Sequence, residues 1–249
     1  MADLRAIYTW RTWTFAWLLR MLAQVSMFAL LGKMLGSAAR TQYLLVGNAV
    51  LVMAFAVLAI CASTAWERMA GTLPLLIASP TAPFVVFAGR SVQWLLDGVG
   101  CSLVSLFLLA PLFGVRLPMP AALLVVPLVV LIAVSVYCFG LVLASIALRA
   151  MRLRSLIANT GSLSLMVLAG VQVSVSFWPA PVQYLANVLP LTHGLQAVRE
   201  VLADGRLADI GRQAALECSV ALGWLVLAGL AFRHLAESGR RDGSIEFGG

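Results

Sequence analysis

Charge is scarce in this sequence. Only 11% of its 249 residues are Asp, Glu, Lys or Arg, whereas 62% are hydrophobic. A soluble domain carries roughly 25% charged and about 45–50% apolar residues, so a water-soluble fold is excluded and a bilayer must take up the apolar surface. Histidine is rarer still, with 2 copies, His193 and His234. The topology read below puts them on opposite membrane sides, which rules out a His-based metal cluster. The cysteines, Cys61, Cys101, Cys138 and Cys218, sit in apolar runs without C-x-x-C spacing. They read as small buried hydrophobes, not as metal ligands or disulfides. No G-x-x-x-x-G-K-[ST] loop is present, so the chain does not bind ATP by that route. H-E-x-x-H, paired intramembrane aspartates and a Ser–His couple on one membrane side are also missing, which argues against an enzyme. The net charge of +7 does not imply nucleic acid, because the basic residues flank apolar segments instead of clustering on a polar domain. The first apolar stretch carries Arg5, Arg11 and Arg20 and lacks an obvious cleavage site, so no signal peptide is expected.

What is present is a series of apolar runs. A spanning helix needs about 20 apolar residues, and the runs predict an all-α polytopic membrane protein with six transmembrane helices. The expected spans are 18–35, 43–65, 84–113, 121–148, 156–177 and 214–232. The first is interrupted by Arg20, Gln24 and Lys33, the third holds Arg90 and Asp97, and the sixth holds Glu217. With the N-terminus inside, eleven of the 17 Lys and Arg fall on the inner side and six on the outer. The densest inner cluster is Arg149, Arg152 and Arg154. Both termini are thus expected in the cytoplasm, as an even number of spans requires.

Three segments are not spans. Residues 1–17 place Trp10, Trp13 and Trp17 on one helical face beside Arg5 and Arg11, which predicts an interfacial amphipathic helix, the alternative being a frayed leader. Residues 66–83 form an inner loop. Residues 178–213 form an outer element whose apolar first half is proline-broken and too short to cross. Irregular backbone at membrane depth survives only when buried in protein or lining a cavity, so re-entrant or lid-like helices before the last span are expected. Residues 233–249 form a cytoplasmic tail.

Two constellations stand out. Arg90, Gln93 and Asp97 share one helical face. A carboxylate within a span is costly unless paired or wetted, so this face is either a polar patch of a pathway or an interhelical pair with Arg20 or Gln24. In the inner loop, Glu67 is favoured at a helix start, and Gly71 and Pro74 turn the chain. Leu73, Leu75, Leu76 and Ile77 then form an apolar knob, read either as a protein contact or as a surface helix in the headgroups. Gly32-x-x-x-Gly36 permits close helix packing and suggests a dimer seam.

Glu67-Arg68-Met69-Ala70-Gly71-Thr72-Leu73 resembles the E-[RK]-x-x-G-T-L stretch of ABC-2-type exporter permeases. Leu189-Pro190-Leu191-Thr192-His193 with Arg199 is similar to their outer element. The tail Gly239-Arg240-Arg241-Asp242-Gly243-Ser244-Ile245-Glu246 resembles the ending of daunorubicin-resistance-type permeases. The resemblance spans the whole chain. It implies the membrane subunit of an ATP-binding-cassette exporter in a bacterial cell membrane, moving a drug, antibiotic or other hydrophobic compound. It also implies a coupling helix carrying Glu67, Arg68, Gly71, Thr72, Leu73, Leu75 and Leu76, and an outer element with Pro190, Thr192, His193 and Arg199. The implied partners are two copies of a cytoplasmic ABC ATPase that bind ATP and Mg, a second permease chain, and membrane lipid. This chain itself would carry no cofactor and no catalytic residue. The alternative is an ion-coupled secondary transporter, with a non-transporting membrane scaffold as a third class. Thr192 is expected to cap the helix that follows it.

Overall fold

The computed structural model describes residues 13–61, 63 and 83–242. Among these the protein is all-helical. A π-helical turn, Trp13–Leu18, leads into α1, Leu19–Met34. Then come α2 (Ala38–Leu58), α3 (Pro83–Leu112), α4 (Val125–Arg149) and α5 (Arg154–Leu168). Two short helices, α6 (Ala180–Val188) and α7 (Thr192–Leu202), precede the long α8 (Leu207–Asp242). The expected interfacial helix lies mostly outside the described residues, as does the 66–83 loop but for Pro83.

Among the described residues, five helical stretches are long and apolar enough to cross a membrane: Phe15–Met34, Ala38–Leu58, Phe84–Leu112, Ala121–Arg149 and Leu207–Leu235. The fifth expected span, 156–177, differs. Its helix has 15 residues and stops at Leu168, a length of about 22 Å at 1.5 Å per residue. Gly170 follows in a left-handed conformation, with φ +80°, and breaks the continuation. Apolar composition runs on to Phe177, but only a single 3-10 turn, Val175–Phe177, forms there. The last helix runs the other way, starting seven residues before the expected 214 and continuing past 232.

Helix α2 is apolar on every face and is buried along most of its length, as a central helix should be. It packs chiefly on α3 and α1, while α8 packs chiefly along α4. Gly32 of α1 is needed for close approach: a Cβ there would lie 2.6 Å from Thr41 Cα of α2. That contact lies within one chain, so Gly32 serves the α1–α2 hairpin; Gly36, with φ +68°, makes its turn. Helices α3 and α4 are joined by Tyr137, whose hydroxyl donates to the Ala88 carbonyl and lies 2.7 Å from Ser91 Oγ. Phe87 of α3 stacks on Phe232 of α8 with ring centroids 5.3 Å apart.

Candidate functional site

Between α5 and α8 the chain forms a helical hairpin, α6 and α7. Leu189 is extended at φ −72°, ψ 140°, the geometry that a following proline imposes. Leu191 is then left-handed at φ +81°, a conformation costing an L-residue roughly 1–2 kcal/mol. Burial compensates: the Leu191 side chain is completely enclosed. This turn starts α7 within packed protein, where helix-start N–H groups have no water to meet.

The missing acceptor comes from α8. Glu217, completely buried, accepts from Leu191 N–H through Oε1 at 2.9 Å and from Gly194 N–H through Oε2 at 2.9 Å. Both carboxylate oxygens thus cap α7, and the negative charge faces the positive end of the helix. Gly194 has to be glycine, because a Cβ would collide with Ile132 of α4. Thr192 does not cap the helix as expected. It is already the first helical residue, and its buried hydroxyl donates to the Ala186 carbonyl of α6 at 2.6 Å. A helix-start hydroxyl caps only from the preceding, non-helical position; here that position is Leu191, and the work passes to Glu217.

One turn before Glu217, Gln213 contacts His193 Nδ1 through Oε1 at 3.0 Å, and His193 Nε2 lies 3.2 Å from the Asn187 carbonyl. Deeper along α8, Trp224 Nε1 donates to the Val188 carbonyl at 2.9 Å, and its ring meets Phe139 of α4 edge-on at 4.7 Å. The hairpin is therefore held to α8 by three side chains, Glu217, Gln213 and Trp224.

The far end of α7 is fixed by Arg199. Its guanidinium lies 3.5 Å over the Tyr43 ring centroid. Nη1 donates to the Gly170 carbonyl at 2.8 Å, and Nη2 donates to the carbonyls of Tyr43 and Val171 at 3.3 Å each. Tyr43 itself donates to the Gly170 carbonyl at 2.7 Å. One side chain thus joins α7, α2 and the break after α5. Gly47 makes room, since a Cβ there would lie 2.6 Å from Val171 O and 2.9 Å from Arg199 Nη2. Burial pushes the Arg199 guanidinium down to about 10, with Tyr43 opposing the shift, so the charge persists at neutral pH. A cavity of about 270 Å³ opens beside it, lined in part by Tyr43, Ser174, Gln196 and Glu200.

The match to known proteins falls on this architecture. The ABC-2 type transporter family model matches residues 4–203, most of the 249-residue chain. The chain belongs to the ABC-2 type transporter family. No curated protein and no solved structure matches it. As an ABC-2 membrane domain it is the permease of an ABC transporter, a transport subunit, and permeases of this family work with an ATPase partner. The matched segment ends at the close of α7, so Glu217 and the rest of α8 lie beyond it.

The residues singled out from the sequence separate into three groups in this permease. Pro190, Thr192, His193 and Arg199 come together on the hairpin. Arg90, Gln93 and Asp97 stay on one face of α3, the first two exposed and Asp97 half-buried; Arg20 lies over the Trp17 ring at 4.9 Å. Glu67, Arg68, Gly71, Thr72, Leu73, Leu75 and Leu76 lie outside the described residues. Sequence reasoning left Glu217 without a role and missed Gln213, Asn187, Tyr43 and Gly47. One signal was present: Glu217 is the sole carboxylate of the 214–232 run, and a lone intramembrane acid needs a partner.

Proposed function

We propose that this ABC-2 permease exports a hydrophobic compound, of the drug or antibiotic class, and that the α6–α7 hairpin is the outer gate of its pathway. The observation that carries the reading is the buried Glu217 cap. It ties the hairpin turn to the last helix, so a displacement of α8 is passed to the gate through two hydrogen bonds. Gly194 packs on Ile132, seven residues into α4, or ~10 Å along that helix. A turn at such depth fits a re-entrant element, and irregular backbone there requires internal partners. The carboxylate supplies them.

Two placements support a sixth crossing by α5. Its start, Arg154, follows the Arg149 end of α4, while Gly170 beyond its end meets Tyr43 near the start of α2. Successive antiparallel helices put those two ends on opposite sides. Six crossings leave both termini in the cytoplasm of a bacterial cell, with Arg149, Arg152 and Arg154 inside.

The energy source is ATP, bound with Mg by two copies of a separate ABC ATPase. The 66–83 loop, with Glu67 and the Leu73–Ile77 knob, docks on that partner, and a second permease chain completes the pathway. Daunorubicin-type drugs are the first compounds to try, given the Gly239–Glu246 tail. The test is transport into inverted membrane vesicles holding this chain and its co-purified ATPase. ATP-dependent accumulation of a fluorescent hydrophobic drug, abolished by an ATPase-dead partner, is expected. Accumulation driven by an ion gradient without ATP would overturn the reading in favour of a secondary transporter.

A further inference from the structure

At the end of the bundle where α1 turns into α2 lies a cavity of about 420 Å³, lined in part by Lys33, Gly36, Ser37, Gln42, Phe113 and Arg116. Lys33 belongs to the last turn of α1, and Arg116 comes just after α3. Two left-handed glycines, Gly36 at φ +68° and Gly114 at φ +73°, turn the two connections so that both cations meet one cavity. No carboxylate lines it. Among the described residues neither side chain has a hydrogen bond or an ion pair. The N-terminus of α2, at Ser37–Ala38, opens on the same space and adds the positive end of a 21-residue helix. Three positive sources thus surround a volume inside the range of about 300–1,000 Å³ typical of small-ligand sites.

We propose that this cavity binds a phosphate-bearing anion through Lys33 and Arg116. An ammonium supplies a point charge and a guanidinium a planar fork, the pair of donors that suits a phosphate. The cavity opens where apolar helices end, at the level of lipid headgroups, and Phe113 and Val115 give it an apolar wall. A phospholipid headgroup and a soluble phosphate ester share the recognising chemistry. Substrate choice by the hairpin is independent of this site, so the proposal stands apart from the export reading.

The test uses the full chain in phosphatidylcholine nanodiscs doped with phosphatidylglycerol, with native mass spectrometry of the retained lipid. A second arm titrates detergent-solubilised protein with glycerol 3-phosphate. Two variants are compared with the unaltered chain: K33Q/R116Q, and R206Q/R212Q as a control removing the same charge from exposed positions outside the cavity. Phosphatidylglycerol is expected to be enriched by the unaltered chain and by the control. In K33Q/R116Q the enrichment should fall about tenfold or more, as loss of two cations at an anionic surface implies. If glycerol 3-phosphate binds with the same dependence on Lys33 and Arg116 while the lipid is not enriched, the site takes a soluble phosphate. Binding in neither arm that depends on Lys33 and Arg116, or an equal loss in both double variants, would overturn the proposal.

Discussion

Replacing Glu217 by alanine removes both acceptors from the start of α7 at once. The N–H groups of Leu191 and Gly194 each lose a 2.9 Å bond, in a place where the side chains of Leu191, Thr192 and Leu195 are fully buried. A buried donor left unsatisfied costs about 1–3 kcal/mol, so the pair costs roughly 2–6 kcal/mol. Leu191 also keeps its left-handed backbone, now without the bond that helps hold it. Glu217→Gln is milder. One amide oxygen still accepts, but the NH₂ group faces the other N–H, for a loss of about 1–3 kcal/mol. These costs fall on the hairpin, so they are read best by amide hydrogen exchange over 189–196 in the purified protein. Every 1.4 kcal/mol is a tenfold change in an opening equilibrium. Exchange there should accelerate at least about 30-fold in Glu217→Ala and about five- to 100-fold in Glu217→Gln, with α2 unchanged. Drug export should fall in the same order. If Glu217→Ala folds, assembles with its ATPase and shows wild-type exchange over 189–196, the carboxylate does not hold the hairpin.

Arg199→Lys should behave as a disruptive change in spite of its retained charge. A lysine cannot reproduce the forked contacts to Gly170 and Val171 or the stacking on Tyr43, and a stability loss of about 1–3 kcal/mol, read as a lower unfolding midpoint, is expected. Gly47→Ala should cost about 1–3 kcal/mol by overpacking against the Val171 carbonyl. Gly100→Ala, where nothing lies within 4 Å of the added carbon, should be neutral or stabilising by up to about 1 kcal/mol; equal thermal midpoints for these two variants would refute the packing argument. Changing Leu75 and Leu76 together to Asp should release the ATPase in a pull-down while leaving membrane insertion intact, and full retention of the ATPase would remove the 66–83 loop from the coupling.

Much of the architecture is legible along the chain because a bilayer demands long apolar helices, and these write a local, one-dimensional signal. Helices α3 and α4 lie close to the expected 84–113 and 121–148 runs, whereas α2 begins at Ala38, five residues before the expected 43. The Leu189–Thr192 stretch announced a break in the chain, since Pro190 fixes the geometry before it. The same local signal failed at α5. Hydropathy continues to Phe177, but hydropathy does not register where the backbone stops bonding to itself. Gly170 ends the helix with a left-handed backbone, and its freed carbonyl is met by Tyr43 and Arg199, residues remote in sequence.

The sequence by itself determined the solvent of this protein, its all-helical class and the ABC-2 family to which it belongs. Each of these depends on composition or on neighbours within a few residues. Only the tertiary structure decided what the α6–α7 hairpin is held by. Glu217 lies 26 residues from Leu191, and Arg199 lies 156 from Tyr43; no periodicity links such pairs. They are joined because a helix start and a chain break, once buried, leave backbone donors and carbonyls that must be satisfied. The side chains able to do so are fixed by how α8 and α2 pack around the hairpin.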